Sequence, residues 1–211
     1  MRWTSFSLMA VIIMVLCGAA TGAEKISSPI KTVRFEPLKF NALTGLKIEP
    51  VLADESQEFN YEYRWFLNGE ENYFETSDNF PGDLLHRGDK VSVEVTPVDA
   101  QGETLPPFIS LPIAASNASP IITSTPPVKL STSGFSYQVQ ATDPDGDSIA
   151  YRLEQGPEGM TIDSSTGNLS WSLIGRPEGA YSVKVAAEDE FGGRAEQNFN
   201  LNLSFPKKEN K

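Results

Sequence analysis

The sequence predicts an all-β chain of two tandem sandwiches. Three observations carry this: alternating apolar runs, a weak internal repeat, and Pro and Gly residues, 15 and 16 in number, placed mostly between those runs. In Phe59-Asn-Tyr61-Glu-Tyr63-Arg-Trp65 the large side chains alternate with polar ones, as a half-buried strand requires, and Asn68-Gly69 follows as a turn. Lys90 to Val98 and Tyr181 to Ala187 alternate in the same way, whereas no segment after residue 23 sustains a helical period.

The repeat shows in spacing more than in identity. Asp54 precedes Tyr63-Arg64 as Asp143 precedes Tyr151-Arg152, at offsets of 89 and 88 residues. Asp99-Ala-Gln-Gly102 matches Asp189-Glu-Phe-Gly192, and Leu111-Pro-Ile113 matches Leu201-Asn-Leu203, both offset by 90. Four landmarks at nearly one spacing read as a duplication.

Residues 1–23 read as a secretory signal peptide, with Arg2 as the basic start, Leu8 to Leu16 as the apolar core and Thr21-Gly22-Ala23 as the cleavage site. The apolar run falls short of the ~20 residues that span a bilayer. A lipid anchor at Cys17 is not expected, because Leu16 stands where a lipobox needs a small residue. Cleavage would remove the single cysteine and leave 188 residues without a disulfide framework, a length suited to two sandwiches of ~100 residues. The expected division is a signal peptide at 1–23, a first sandwich at 24–116, a second at 117–205 and a frayed tail at 206–211, with the boundary in the small polar stretch Ala115 to Pro120.

With 28 acidic and 17 basic residues the chain carries a net charge of −11, which repels phosphate backbones and argues against nucleic-acid binding. Both halves are acidic, so the charge belongs to the whole surface and fits either solubility or cation binding. Catalysis is not expected. His86 is the lone histidine, no nucleophile elbow accompanies it, and no carboxylate pair stands out from the acidic background.

Tyr137 to Trp171 is the most legible stretch. Met160 with Ile162, and Leu169 with Trp171, share strand faces around Asp163-Ser-Ser-Thr-Gly167, where Asp163 can form an Asx turn and Gly167 can take a positive φ. Upstream lies Ala141-Thr-Asp-Pro-Asp-Gly-Asp147. Together with Tyr151-Arg-Leu153, Pro157 to Asp163, Gly179-Ala-Tyr181, Ala187-Glu-Asp189 and Gly192-Gly193, this segment resembles the putative Ig domains of the cadherin-like group found in dystroglycan and many bacterial surface proteins. The resemblance covers about residues 119 to 204, and the first half looks like a diverged Ig-like repeat. It implies an extracytoplasmic Ig-like sandwich used in adhesion, spacing or recognition, with calcium bound in some members.

Asp143, Asp145 and Asp147 are candidate calcium ligands. They do not form an EF-hand, since Ser148 occupies the position that needs Gly and the flanks alternate as strands. If Tyr137 to Thr142 is strand B and Ser148 to Leu153 is strand C, the acidic loop lies beside the F–G loop carrying Glu188, Asp189 and Glu190, and Asp89 of the first domain would point to the same junction. The expected metal set is therefore Asp143, Asp145, Asp147, Asp189, Glu190 and Asp89. Such an oxygen-rich cluster suits Ca²⁺ at weak extracellular affinity.

Arg87-Gly-Asp89 spells an integrin tripeptide but reads as an ordinary turn. Trp65 and its neighbouring tyrosines are expected on the core face instead of on a sugar-stacking platform. The sequence thus predicts a secreted, periplasmic or cell-surface module that binds an envelope or extracellular protein, with a carbohydrate-binding accessory module as the alternative.

Overall fold

The computed structural model describes residues 27–127 and 134–204. The expected signal peptide with Cys17, and the tail from 206 to 211, lie outside the described residues. The chain divides between Ser116 and Asn117 into two compact units. All regular structure among the described residues is β apart from one 3-10 turn at Gly82–Leu84, and no helix there is long and apolar enough to cross a membrane.

Unit 1 contains β1 (Ile30–Glu36), β2 (Leu46–Leu52), β3 (Asn60–Leu67), β4 (Glu70–Asn72), β5 (Asn79–Phe80), β6 (Lys90–Val98), β7 (Phe108–Ile109) and β8 (Ile113–Ala114). One sheet has the order β1-β2-β5; the other runs β4-β3-β6-β7, with β8 also on β6. The hairpin from β3 to β4 turns on Asn68 and Gly69, whose φ values of 54° and 88° are those of a type I′ turn. Alternation along β6 places Val91, Val93 and Val95 fully inside. Trp65 joins them without solvent exposure, packs at 5.4 Å against the tilted ring of Phe80 and donates its indole N–H to the Ser77 carbonyl. Truncating such a buried indole to Ala costs about 3–5 kcal/mol, so Trp65 anchors the core.

Unit 2 contains β9 (Ile121–Ile122), β10 (Gly134–Gln138), β11 (Ala141–Thr142), β12 (Ile149–Gln155), β13 (Thr161–Ile162), β14 (Asn168–Ser172), β15 (Gly179–Asp189) and β16 (Arg194–Leu203). Its sheets are β10-β14-β13, β12-β15-β16 and the short pair β9-β11. Trp171 is buried at the centre, 4.8 Å from Tyr181, with its indole N–H on the Glu158 carbonyl. The Asp163 turn forms as its chemistry requires: Asp163 Oδ1 accepts from the amides of Ser165 and Thr166, and the Gly167 amide closes onto the Asp163 carbonyl.

Expected strand B differs from the prediction. It is two segments with different partners, β10 on β14 and β11 on β9. The chain breaks at Val139, which is fully buried and donates to the Gly167 carbonyl, and at Gln140, whose amide is taken by the Ser124 hydroxyl. Glu188 and Asp189, expected in the F–G loop, form the end of β15.

Candidate metal-binding loop

Asp143 opens the loop between β11 and β12 and shapes it. Its Oδ1 accepts from the amides of Asp145 at 2.9 Å and Asp147 at 3.3 Å, and its carbonyl accepts from Gly146 at 3.1 Å. Pro144 fixes one φ of this turn, and Gly146 takes a φ of 80°. Coiling the chain around one carboxylate gathers the other two. Asp143, Asp145 and Asp147 are each half-buried, and one oxygen from each lies within 4.8 Å of the others.

Two costs concentrate here. Three like charges at this separation repel. The second oxygen of Asp143 is buried and has no hydrogen-bond partner among the described residues, a state that costs on the order of 1–3 kcal/mol or more for a charged group. An all-oxygen donor set with an orphaned carboxylate oxygen is chemically suited to a hard divalent cation, which removes both costs. Asp145 is also committed elsewhere, because its Oδ2 accepts from the Ala118 amide at 2.7 Å.

Asp189 closes the neighbouring turn. Its Oδ1 accepts from the amides of Phe191 at 2.7 Å and Gly193 at 2.9 Å, and its Oδ2 accepts from the side-chain amide of Asn117 at 2.8 Å. Only 8% of it is exposed. Burial, the largest single influence, pushes this carboxyl up, but the donors of Asn117, Gly193, Phe191 and Gly192 together outweigh it and hold it below the usual aspartate range. Position 193 has no room for a side chain: a Cβ there would overlap Asp189 Oδ2 and lie 2.8 Å from Asn117 Nδ2 and 2.9 Å from Ser119 Cα.

The structure thus brings together three of the six expected ligands. Asp189 lies outside that carboxylate group and is held by donors, and Glu190 is exposed at the turn. Asp89 belongs to unit 1 and serves its own turn, where Oδ2 accepts from the His86 amide and Oδ1 from the Asn68 side chain, both at 2.8 Å. That commitment also keeps the Arg87-Gly-Asp tripeptide folded onto its hairpin. Glu188 is neutralised by Arg152 and Arg194. Sequence reasoning missed Asn117, the Ala118 amide and Gly193. Asn117 meets Asp189 across 72 positions, and no local pattern signals such a contact.

Comparison with known proteins addresses this second half. Residues 116–204 match the family model described as Putative Ig domain. No curated protein sequence matches the chain. Among solved structures, the human desmocollin-1 ectodomain is similar at 17% identity and a TM-score of 0.33, covering 75% of this chain and 36% of its own length. The fibronectin(III)-like modules of Clostridium thermocellum CbhA align at 12% identity and a TM-score of 0.29, over 82% of this chain and 94% of theirs. SGBP-B of the Bacteroides ovatus mixed-linkage glucan utilization locus, solved with a mixed-linkage heptasaccharide, aligns at 11% identity and a TM-score of 0.24, over 82% of this chain and 47% of its own. The chain therefore spans about a third of the length of the desmocollin structure. The Putative Ig domain match includes the whole Asp143–Asp147 loop, Asp189 and Asn117.

Proposed function

We propose that the chain is an exported, non-enzymatic Ig-like module for adhesion, scaffolding or assembly, in which the Asp143–Asp147 loop holds calcium. In this reading residues 1–23 are removed as a signal peptide, 24–116 form a diverged Ig-like sandwich, 117–205 form the second sandwich, and the partner is an envelope or extracellular protein. The orphaned Asp143 oxygen beside two further carboxylates carries the calcium reading. Asp143, Asp145 and Asp147 would hold the ion. Calcium would supply charge neutralisation and rigidity, with no reaction to catalyse.

Thermal melting with and without calcium tests this. At ten times its dissociation constant an ion that binds only the folded state adds about 1.4 kcal/mol, which raises the melting temperature of a domain this size by roughly 5–10 °C. Asp145→Asn combined with Asp147→Asn, which removes two of the three carboxylates of the loop, should abolish the rise. A melt that does not move across millimolar calcium rejects the site. A glycan array run beside pull-down from envelope extract tests the partner class, and specific glycan binding with no protein partner would overturn it.

A further inference from the structure

Tyr61 and Tyr63 stand apart from the other partly or fully buried tyrosines. In unit 2, Tyr137 donates to Gln197 Oε1 and shares a hydrogen bond with the Ser124 hydroxyl, Tyr151 accepts from the Ala141 amide, and Tyr181 donates to the Pro177 carbonyl. Tyr61 and Tyr63 are half-buried against the unit 1 core, yet neither hydroxyl makes a hydrogen bond among the described residues. Neither hydroxyl is among the buried polar atoms left without a partner, so both reach solvent and are accessible to a ligand. Burial pushes both phenols above their ordinary range, and the Asp78 charge adds to this at Tyr63, so both remain protonated donors near neutral pH.

These two rings line a cleft of about 380 Å³, with Glu36, Lys47, Glu49 and Asp78 around them. Lys47 pairs with Asp78 at 3.3 Å and Arg34 pairs with Glu49, while Glu36 has no ion-pair partner among the described residues. The rim is therefore net acidic, in a chain that is acidic throughout. The strands that supply it keep free edges there. β2 pairs with β5 only through Leu46 and Lys47, and β3 pairs with β4 only from Trp65 onward, so Glu49–Leu52 and Asn60–Arg64 each have a strand partner on one side only among the described residues.

We infer that this cleft of unit 1 receives an arginine or lysine side chain from an extended segment of a protein partner. The cation meets the acidic rim and the tyrosine ring faces, at geometries where cation–π attraction contributes. Backbone carbonyls of the segment accept from the two tyrosine hydroxyls, and the free edge of β3 at Asn60–Arg64 suits an extended backbone, whereas Pro50 removes a donor from the β2 edge. A sugar fits less well, because the rings are inclined at 45° with centroids 6.4 Å apart and offer no coplanar platform. The inference deepens the protein-binding reading above but does not depend on calcium.

An NMR titration of the protein in the presence of EDTA tests it. The probes are a capped alternating arginine–threonine octapeptide, the same peptide with citrulline for arginine, and a neutral gluco-oligosaccharide. The arginine peptide should shift Tyr61, Tyr63, Lys47 and Glu49 as one saturating set, and the citrulline peptide should bind at least tenfold more weakly. Tyr61→Leu, which keeps apolar bulk, and Glu36→Gln should each weaken the arginine peptide at least threefold. Equal binding of the citrulline peptide, shifts scattered over the acidic surface, or movement of the cleft by the oligosaccharide alone would each overturn the inference. Because EDTA is present throughout, any of these outcomes leaves the calcium reading standing or falling on its own melt.

Discussion

The turn at Asp99–Glu103 in unit 1 and the turn at Asp189–Gly193 in unit 2 are the same piece of backbone put to different uses. In each, the aspartate Oδ1 accepts from the amides two and four residues on: Gln101 and Glu103 in the first, Phe191 and Gly193 in the second. In each, the aspartate amide donates to the carbonyl four residues on, and the glycine three residues on has a φ near 85–89°. They part at the second carboxylate oxygen. Asp189 Oδ2 is met by the Asn117 amide and is buried, whereas Asp99 is half-buried and position 103 carries an exposed glutamate. The same turn geometry closes only on itself in unit 1 and also fastens the start of the domain in unit 2.

The loops that precede β3 and β12 repeat the lesson. Asp54 Oδ1 accepts from the Ser56 amide as Asp143 Oδ1 accepts from that of Asp145. Where unit 2 has Asp145 and Asp147, unit 1 has Ser56 and Glu58, so among the described residues the three-aspartate cluster occurs in unit 2 only.

Substitutions at matched positions can break the comparison. Gly193→Ala should be the most damaging, destabilising unit 2 by about 3 kcal/mol because the added carbon falls on the Asp189 carboxylate and on backbone, while Glu103→Ala stays within about 0.5 kcal/mol. Urea melts giving equal effects for the two would show that the second turn is not closed as described. Asp189→Ala comes next at about 2–3 kcal/mol, since it strands part-buried amides and removes a charged acceptor, and Asp99→Ala should cost less for want of the Asn117 contact. Asn117→Ala removes a single donor to a charged group and should cost about 1–2 kcal/mol; if it costs as much as Asp189→Ala, the amides of the turn contribute nothing.

Acid gives the smallest signal. The Asp189 carboxyl is held below its unfolded value of about 3.9, so its stabilisation is complete above that pH and is lost as pH falls through the lower folded value. Asp189→Asn should flatten this part of the acid limb. An unchanged limb in stability measured from pH 5 to pH 2 would remove the carboxylate from the account.

Much of this was written locally. The Asp163 hairpin, the Asn68-Gly69 turn and the alternation along β6 follow from residues a few positions apart, and the 90-residue offset between Asp99 and Asp189 corresponds to matched hydrogen bonds. The three aspartates of the loop were equally plain, because two Asx-type bonds gather them. What the sequence hid is long-range. Alternation placed Trp65, Tyr63 and Tyr61 on one face without telling that the first is sealed and the other two open to a cleft. It hid the split of strand B as well, since Val139 is apolar enough to continue either segment.

The fastening of Asn117 and Ala118 has a mechanical consequence. A pull on the chain at residue 117 reaches unit 2 first through Asn117 on Asp189 and Ala118 on Asp145, before it loads β9, which is zipped to β11 by only two residue pairs. Two hydrogen bonds to carboxylates therefore stand in front of one of the two shortest ladders of the domain. Tension entering at residue 117 is borne by those two bonds before it reaches β9.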